Sequence, residues 1–305
     1  MTCPRYCPLP MPLRVRRLEC WLGLAAGLMV WLALAGPVVV QPDHYHDFAD
    51  QRVWCAVPHA MDVLSNFPFA AWGAGGLWAL ARALRLRALD SIPAGLAALF
   101  LAGLIVTAGV SGYYHWRPDD AGLVWDRASM VLAFAGLLGL AAAQAVSRRA
   151  GVALAAAVLV LGLAAVRVWA VSGNLLPWAV LQAAGMVLIL VAACQRPLQP
   201  APGLRIRWAL VLAFYALAKG LELADHQVFE LTGQLVSGHS LKHVVASLAA
   251  WPVVLAVKAA VAAAERCRES SAKSRSPFTT GAGEPGDPSQ GQTPAPQPLE
   301  PRSPA

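Results

Sequence analysis

The sequence predicts an all-α polytopic membrane protein, with a seven-transmembrane-helix core and one extra transmembrane helix at the N-terminus. Hydrophobic residues make up 57% of the 305 residues, and charged residues only 13%. The apolar residues form stretches close to the roughly 20 residues that a helix needs to cross the hydrocarbon core of a bilayer. Stretches such as GVALAAAVLVLGLAAVRVWA are apolar on every side, whereas a helix of a soluble protein has one apolar face. Composition and pattern therefore disfavour a soluble fold.

Eight apolar stretches predict the individual helices, at residues 18–40, 58–81, 92–115, 123–146, 151–170, 175–194, 206–225 and 239–264. The first stretch follows basic residues, as a signal peptide does. Its length of about 22 residues and its poor cleavage site, LALAGPVVVQP, favour a retained helix instead.

The predicted domain organisation follows from these stretches. A basic cytoplasmic N-terminus (1–17) precedes the extra helix (18–40), an outward loop (41–57), the seven-helix core (58–264) and a tail (265–305). The tail is rich in Pro, Gly and Ser and has almost nothing to bury, which predicts a disordered cytoplasmic segment.

Basic residues alternate between the two sides of the predicted helices. Because cytoplasmic loops are enriched in Lys and Arg, the clusters predict that both termini are cytoplasmic. The net charge of +7 does not indicate a nucleic-acid partner, because the arginines lie in short clusters between apolar stretches. The clusters are Arg5, Arg14, Arg16 and Arg17; Arg82, Arg85 and Arg87; Arg148 and Arg149; and Arg196, Arg205 and Arg207.

All seven histidines fall in the outward loops or at the outward ends of the predicted helices. His44, His46 and His59 are accounted for as polar loop residues. His239 and His243 instead stand four residues apart in SGHSLKHVV, which places both imidazoles on one helix face. His115 ends another helix at a similar depth. Three imidazoles with an open fourth position are typical of a catalytic zinc site.

Two further polar residues lie close to His115 in the sequence. Ser111 precedes it by one helical turn, and Asp126 opens the next helix after a short turn. A carboxylate beside a metal can act as a general base. The alternatives remain open: Asp126 as a charge that favours a helix N-terminus, and Ser111 as a hydroxyl bonded to its own helix.

These residues together resemble the alkaline ceramidase family, within the superfamily of seven-helix membrane hydrolases that also includes the adiponectin and progestin receptors. The resemblance rests on SGYYH (Ser111 and His115), VWDR (Asp126) and HSLKH (His239 and His243). DVLSNFPF, with Ser65 and Asn66, is similar to the first core helix of that family. The resemblance covers about residues 43–264.

The resemblance implies a zinc-dependent intramembrane hydrolase. Such an enzyme cleaves the amide bond of a ceramide or a related N-acyl lipid, and releases a long-chain amine and a fatty acid. His115, His239 and His243 are then the ligands of one catalytic Zn²⁺. Asp126 acts as general base and then as acid toward the amine, and Ser111 stabilises the oxyanion.

Calcium, which the eukaryotic ceramidases bind near their first core helix, is not predicted. Asp47, Asp50 and Asp62 could supply oxygens, but their spacing differs, and His59 falls where an acidic ligand is expected.

Three residues around the seventh stretch are candidates for a shell behind the metal ligands: Lys219, Glu222 and His226. Glu222 follows Lys219 by three residues, so that mutual neutralisation explains the pair equally well. His226 can also be an ordinary loop residue.

Two other functional classes remain open. A receptor-like or lipid-binding protein of the same superfamily would hold zinc without turnover. A bis-histidine haem protein would need axial ligands on opposing helices. Richness in Ala, Arg and Gly suggests a bacterial protein in the cytoplasmic membrane. The positions of the histidines place the site near the outward face of that membrane. The expected partner is a membrane lipid, of unassigned head group and chain length; protein partners and oligomeric state stay open.

Overall fold

Helices account for most of the protein. The computed structural model describes residues 13–194 and 204–275. In those two ranges there is no β-strand, and only two isolated bridges occur, Val40–Asn174 and Trp54–Val57. The helices are α1 (Leu13–Ala35), α2 (Ala60–Leu64), α3 (Phe67–Arg85), α4 (Ser91–Trp116), α5 (Asp120–Ala145), α6 (Arg148–Ser172), α7 (Leu176–Cys194), α8 (Trp208–Leu223), α9 (Asp225–Leu231), α10 (Gly238–Ser247) and, after the 3₁₀ turn Leu248–Ala250, α11 (Trp251–Arg275).

Six helical segments are long and apolar enough to cross a membrane, so that the prediction of an all-α polytopic membrane protein is confirmed. They are Leu13–Ala35, Ser91–Trp116, Asp120–Ala145, Arg148–Ser172, Leu176–Cys194 and Gly238–Ser270. The predicted count of seven plus one stays a prediction. Two of the eight stretches give shorter or less apolar helices: the second forms α2 and α3, and the seventh forms α8, of 16 residues.

Prolines shape the two helices that are interrupted. The second predicted stretch breaks after Leu64, and Pro68 is the second residue of the following helix, α3. Proline lacks an N–H and is best tolerated there. Pro252 likewise follows the 3₁₀ turn that separates α10 from α11. Each break lies beside residues of the site described below.

Both ends of the chain differ from the predicted boundaries. The first helix begins at Leu13 rather than at residue 18, because the basic residues Arg14, Arg16 and Arg17 are already helical. Helix α11 runs to Arg275, so that residues 265–275 are helical where a disordered tail was expected. Residues 1–12, 195–203 and 276–305 lie outside the described residues. The described residues up to Cys267 form one compact unit, and residues 268–275 are the end of α11.

Glycines allow α4 and α5 to pack with their backbones in contact. A Cβ atom on Gly103 would lie 2.5 Å from the backbone nitrogen of Ala133, and one on Gly136 would collide with that of Phe100. Small residues at such crossings are typical of helix pairs in membranes. The turn between the helices is closed by Asp119, whose side chain accepts a hydrogen bond of 2.6 Å from the Gly122 N–H. This turn holds the end of α4 against the start of α5.

Candidate metal centre

Three histidines meet at one buried point of the helix bundle. His115 ends α4, whereas His239 and His243 occupy the first turns of α10, which Ser237 caps by accepting a hydrogen bond from the Ser240 N–H. The three side chains are 1%, 7% and 6% exposed. One nitrogen of each imidazole lies within 4.8 Å of the others. The predicted cluster is therefore present, and these three residues could hold a metal ion.

One nitrogen–nitrogen distance in the cluster fits two ligands of a tetrahedral metal. The Nε2 atoms of His115 and His239 are 3.4 Å apart. Two nitrogens bound at about 2.0–2.1 Å on adjacent corners of a tetrahedron lie roughly 3.3–3.4 Å apart. Imidazole nitrogens gathered in an apolar interior are costly without a cation between them.

The same geometry argues against a bis-histidine haem. The imidazole ring centroids of the three histidines are 4.8–4.9 Å apart. A porphyrin must pass between its two axial imidazoles, and here the third imidazole occupies the adjoining space. The cluster therefore fits a single ion better than a macrocycle.

A serine fixes the tautomer of His243. Ser65 Oγ donates a hydrogen bond of 2.9 Å to the carbonyl oxygen of Asp62, and it lies 2.8 Å from His243 Nδ1. Because a hydroxyl has one proton, Ser65 must accept the second hydrogen bond from the His243 Nδ1–H. The lone pair of His243 is then on Nε2, free for a metal. Metal-binding histidines typically have such a partner on the second nitrogen.

An aspartate positions the start of α10. The Asp225 carboxylate accepts hydrogen bonds from the backbone N–H of His239 (2.7 Å) and from that of Ala49 (3.0 Å). A Cβ atom on Gly238 would lie 2.8 Å from the Asp225 Cα, so that only glycine allows this approach. Neither Ser65 nor Asp225 was assigned a role from the sequence. Two sequence signals could have identified them. Ser65 lies in the motif DVLSNFPF, and Asp225 is a charged residue at the end of the predicted helix 206–225.

Ser111 and Asp126 lie together on the α4–α5 pair. Both are buried, at 4% and 8% exposure. The Ser111 side chain lies near the Asp126 carboxylate. Asp126 Oδ1 has no hydrogen-bond partner among the described residues. Since Ser111 is one helical turn from His115, it lies on the α4 face that carries that imidazole, whereas Asp126 belongs to α5.

Glu222 lies between two lysines. Its carboxylate is 2.6 Å from Lys219 Nζ, as the predicted neutralising pair requires, and 2.7 Å from Lys242 Nζ. Lys242 belongs to α10 and thereby ties it to α8. His226 is exposed, and its Nε2 lies 3.1 Å from the carbonyl oxygen of Asp47. His226, in α9, therefore contacts the loop at residues 41–57 rather than an imidazole of the cluster.

The outward loop covers the cluster. The Phe48 ring is 3% exposed, and its centroid lies 4.3 Å from that of His239 and 4.8 Å from that of His115. The loop is held on either side of Phe48 by Asp225 and His226, as described above. Arg52 adds a hydrogen bond of 2.9 Å to the carbonyl oxygen of Leu235. Phe48 therefore closes one side of the three imidazoles.

The acidic residues near the loop are engaged with other side chains. Asp50 is fully buried and is bound by Arg52 through two contacts, Nε–Oδ1 at 2.8 Å and Nη2–Oδ2 at 2.5 Å. Burial by itself raises the pKa of Asp50, but the hydrogen bonds from Arg52 outweigh it and hold that pKa below its ordinary value. Asp62 accepts a hydrogen bond of 2.6 Å from Ser240.

A scan against protein-family models gives no match for this chain, and a search among curated proteins finds no relative. The resemblance to the ceramidase family therefore rests on the motif residues and on their arrangement.

Proposed function

We propose that this protein is a zinc-dependent intramembrane hydrolase that cleaves the amide bond of ceramide or of a related N-acyl lipid. The observation that supports it is the cluster of three buried histidines, one of which, His115, lies one helical turn after Ser111, which is itself near Asp126. Three neutral imidazoles with a free position are the ligand set of catalytic zinc. A carboxylate outside that set is what proton transfer requires.

Each residue then has a defined task. His115, His239 and His243 would hold one zinc ion, which would supply Lewis-acid polarisation of the carbonyl and activation of water. Asp126 accepts a proton from the attacking water and delivers it to the amine nitrogen as the C–N bond breaks. Ser111 donates a hydrogen bond to the oxygen that gains negative charge. The products are a fatty acid and a long-chain amine, which together contain the atoms of the amide and of one water.

A membrane lipid is the substrate class that suits the position of this site. The histidines lie at the ends of apolar helices, where the carbonyl of a lipid sits between hydrocarbon and water. Phe48 covers the imidazoles from the outward loop. We place the protein in a bacterial cytoplasmic membrane. Its basic clusters favour an orientation with both termini inside, which puts the site near the outward face.

The test is hydrolysis by purified protein in detergent micelles, with zinc measured on every sample. Ceramides of several chain lengths are compared with other N-acyl lipids and with ester lipids, and both products are quantified by mass spectrometry. We expect amine and fatty acid in equal amounts from at least one amide. Removal of zinc should abolish their release, and its return should restore it. Release that is unaffected by zinc removal would contradict the proposal.

One observation favours a second candidate, a non-catalytic lipid-binding or receptor-like protein of the same superfamily. Phe48 packs on two of the three imidazoles, and closed metal sites are typically structural. Zinc-loaded protein that hydrolyses no amide or ester of the panel would support this candidate. In that case Phe48→Ala should also fail to produce hydrolysis.

A further inference from the structure

An apolar cavity of about 620 Å³ lies between α1 and the helices α6 and α7. Its walls are apolar side chains throughout, and none of the residues assigned to the metal centre lines it. The walls include Trp21 and Met29 of α1, Leu161 and Val168 of α6, and Val180 and Val187 of α7. The cavity is therefore separate from the candidate metal centre.

Hydrogen bonds join α1 to the bundle near its two ends. Near one end, Ser147 donates a hydrogen bond to the Glu19 carboxylate. Beyond the other end, the Leu175 N–H donates to the Val39 carbonyl (2.7 Å), and the Val39 N–H donates to Asn174 Oδ1 (3.1 Å). Val15 is the only residue of α1 that is buried. Between these attachments Leu22 packs against the core, and the half-buried side chains of Ala26 and Met29 face the cavity.

The size and chemistry of the cavity restrict what can fill it. Water needs two to four polar partners, and these walls offer almost none. A further transmembrane helix would have to pass between α1 and the bundle, where the hydrogen bonds of Glu19 with Ser147 and of Val39 with Leu175 already join the two. The remaining occupant in a bilayer is hydrocarbon. A flexible chain can follow such a gap and restore the dispersion contacts that an empty space would forfeit.

We propose that this cavity is a binding site for the acyl chain of a membrane lipid, held between α1 and the α6–α7 face. The lipid fills the space that the two end attachments of α1 leave open. This site is independent of the proposed hydrolase activity, because its occupant contacts α1, α6 and α7 and no metal ligand.

The test compares two alanines that are neighbours in α6. Ala157 lines the cavity, whereas Ala156 is exposed elsewhere on the helix and does not. We expect purified wild-type protein to retain phospholipid in native mass spectrometry after extensive detergent washing. Ala157→Phe and, on α7, Ala184→Phe should lose that lipid. Ala156→Phe should keep it. Equal retention by all variants, or none by the wild type, would overturn the proposal, as would a second copy of the chain in place of lipid.

A second measurement needs no variant and covers the case in which the phenylalanines prevent folding. Wild-type protein in vesicles is exposed to a phospholipid with a photoreactive acyl chain, chased with unlabelled lipid and irradiated. We expect crosslinks to persist at Trp21 and to disappear at Trp78 of α3, because both tryptophans are 68% exposed but only Trp21 lines the cavity. If the crosslinks at Trp21 and Trp78 disappear equally fast during the chase, the cavity contains only exchanging bilayer lipid, and the proposal is overturned.

Discussion

The Ser65 hydroxyl lies 2.8 Å from Nδ1 of His243, and because it donates its own proton to the Asp62 carbonyl, it accepts a hydrogen bond from the Nδ1–H. The two residues are 178 positions apart in the chain. The contact joins the short helix α2 to α10, and it leaves Nε2 of His243 as the nitrogen that is free to bind a metal.

Ser65→Ala should therefore weaken metal binding without removing a ligand. Loss of such a hydrogen-bond partner typically costs about 10- to 100-fold in affinity, because the imidazole orientation and tautomer are no longer fixed. Competition with a chelator of known zinc affinity measures this change. Ser172→Ala is the matched control, since the Ser172 hydroxyl bonds only to its own helix and the following turn. An unchanged affinity in Ser65→Ala would contradict the assigned role.

Replacing any one of the three clustered histidines by alanine should lower zinc occupancy. Each imidazole supplies one of only three protein ligands, so that none can be spared. Elemental analysis of purified protein, against about one zinc per wild-type chain, gives the measurement. His44→Ala, an exposed histidine of the outward loop, should keep full occupancy. If all three variants retain full zinc, the ligands have been misassigned.

Asp126→Asn should separate chemistry from metal binding. The amide preserves the shape of the side chain but cannot take up a proton, so that turnover should fall by about 10²- to 10⁴-fold. Zinc content should stay at the wild-type level. Turnover at the wild-type rate would remove the proton-transfer role, and loss of zinc along with activity would identify Asp126 as a ligand or a structural residue.

Ser111→Ala should also keep zinc, and it should slow hydrolysis by an amount close to the loss of one oxyanion donor, about 10²- to 10³-fold. The measurement is the rate of fatty-acid release at saturating lipid. Ser129→Ala is a suitable comparison, because Ser129 is buried as Ser111 is, although it lies on α5. Its hydroxyl donates to the backbone carbonyl of Asp126 at 2.7 Å and not to the carboxylate. Equal effects in both variants would indicate a structural contribution only.

Topology can be tested with reporter fusions after residues 86 and 119. These positions flank α4 (Ser91–Trp116), which is long enough to cross the bilayer once. The basic residues after α3 predict that the first fusion is cytoplasmic and the second outside. Reporters on the same side would contradict the proposed orientation and the placement of the site.

The parts of the site that sequence reasoning could predict are those that depend on local spacing. His239 and His243 share a face because they are one turn apart, and Ser111 and His115 do so for the same reason. The prediction that His115 lies near His239 and His243 depended only on its position at a helix end, at a similar depth in the membrane. Their proximity is confirmed, at 3.4 Å between His115 and His239.

The contacts that sequence reasoning missed join residues far apart in the chain. Phe48 reaches His239 from a loop, and Asp225 binds both α10 and that loop, yet neither position has a periodic signal. Helix boundaries were missed for another reason. Apolar stretches indicate where hydrocarbon begins, whereas α1 starts earlier, among basic residues that are helical outside it.

The separation of the histidines in the chain also sets an order of events during synthesis. His115 precedes His239 by 124 residues, so that at about 5 to 20 residues per second the first ligand waits roughly 6 to 25 s for the second. During that interval the polar side chains of Asp126 and Ser65 are already in place, but the imidazoles of α10 are not. A ribosome that stalls before α10 would therefore leave an incomplete bundle with uncovered polar groups at one membrane edge, a natural substrate for membrane quality-control proteases.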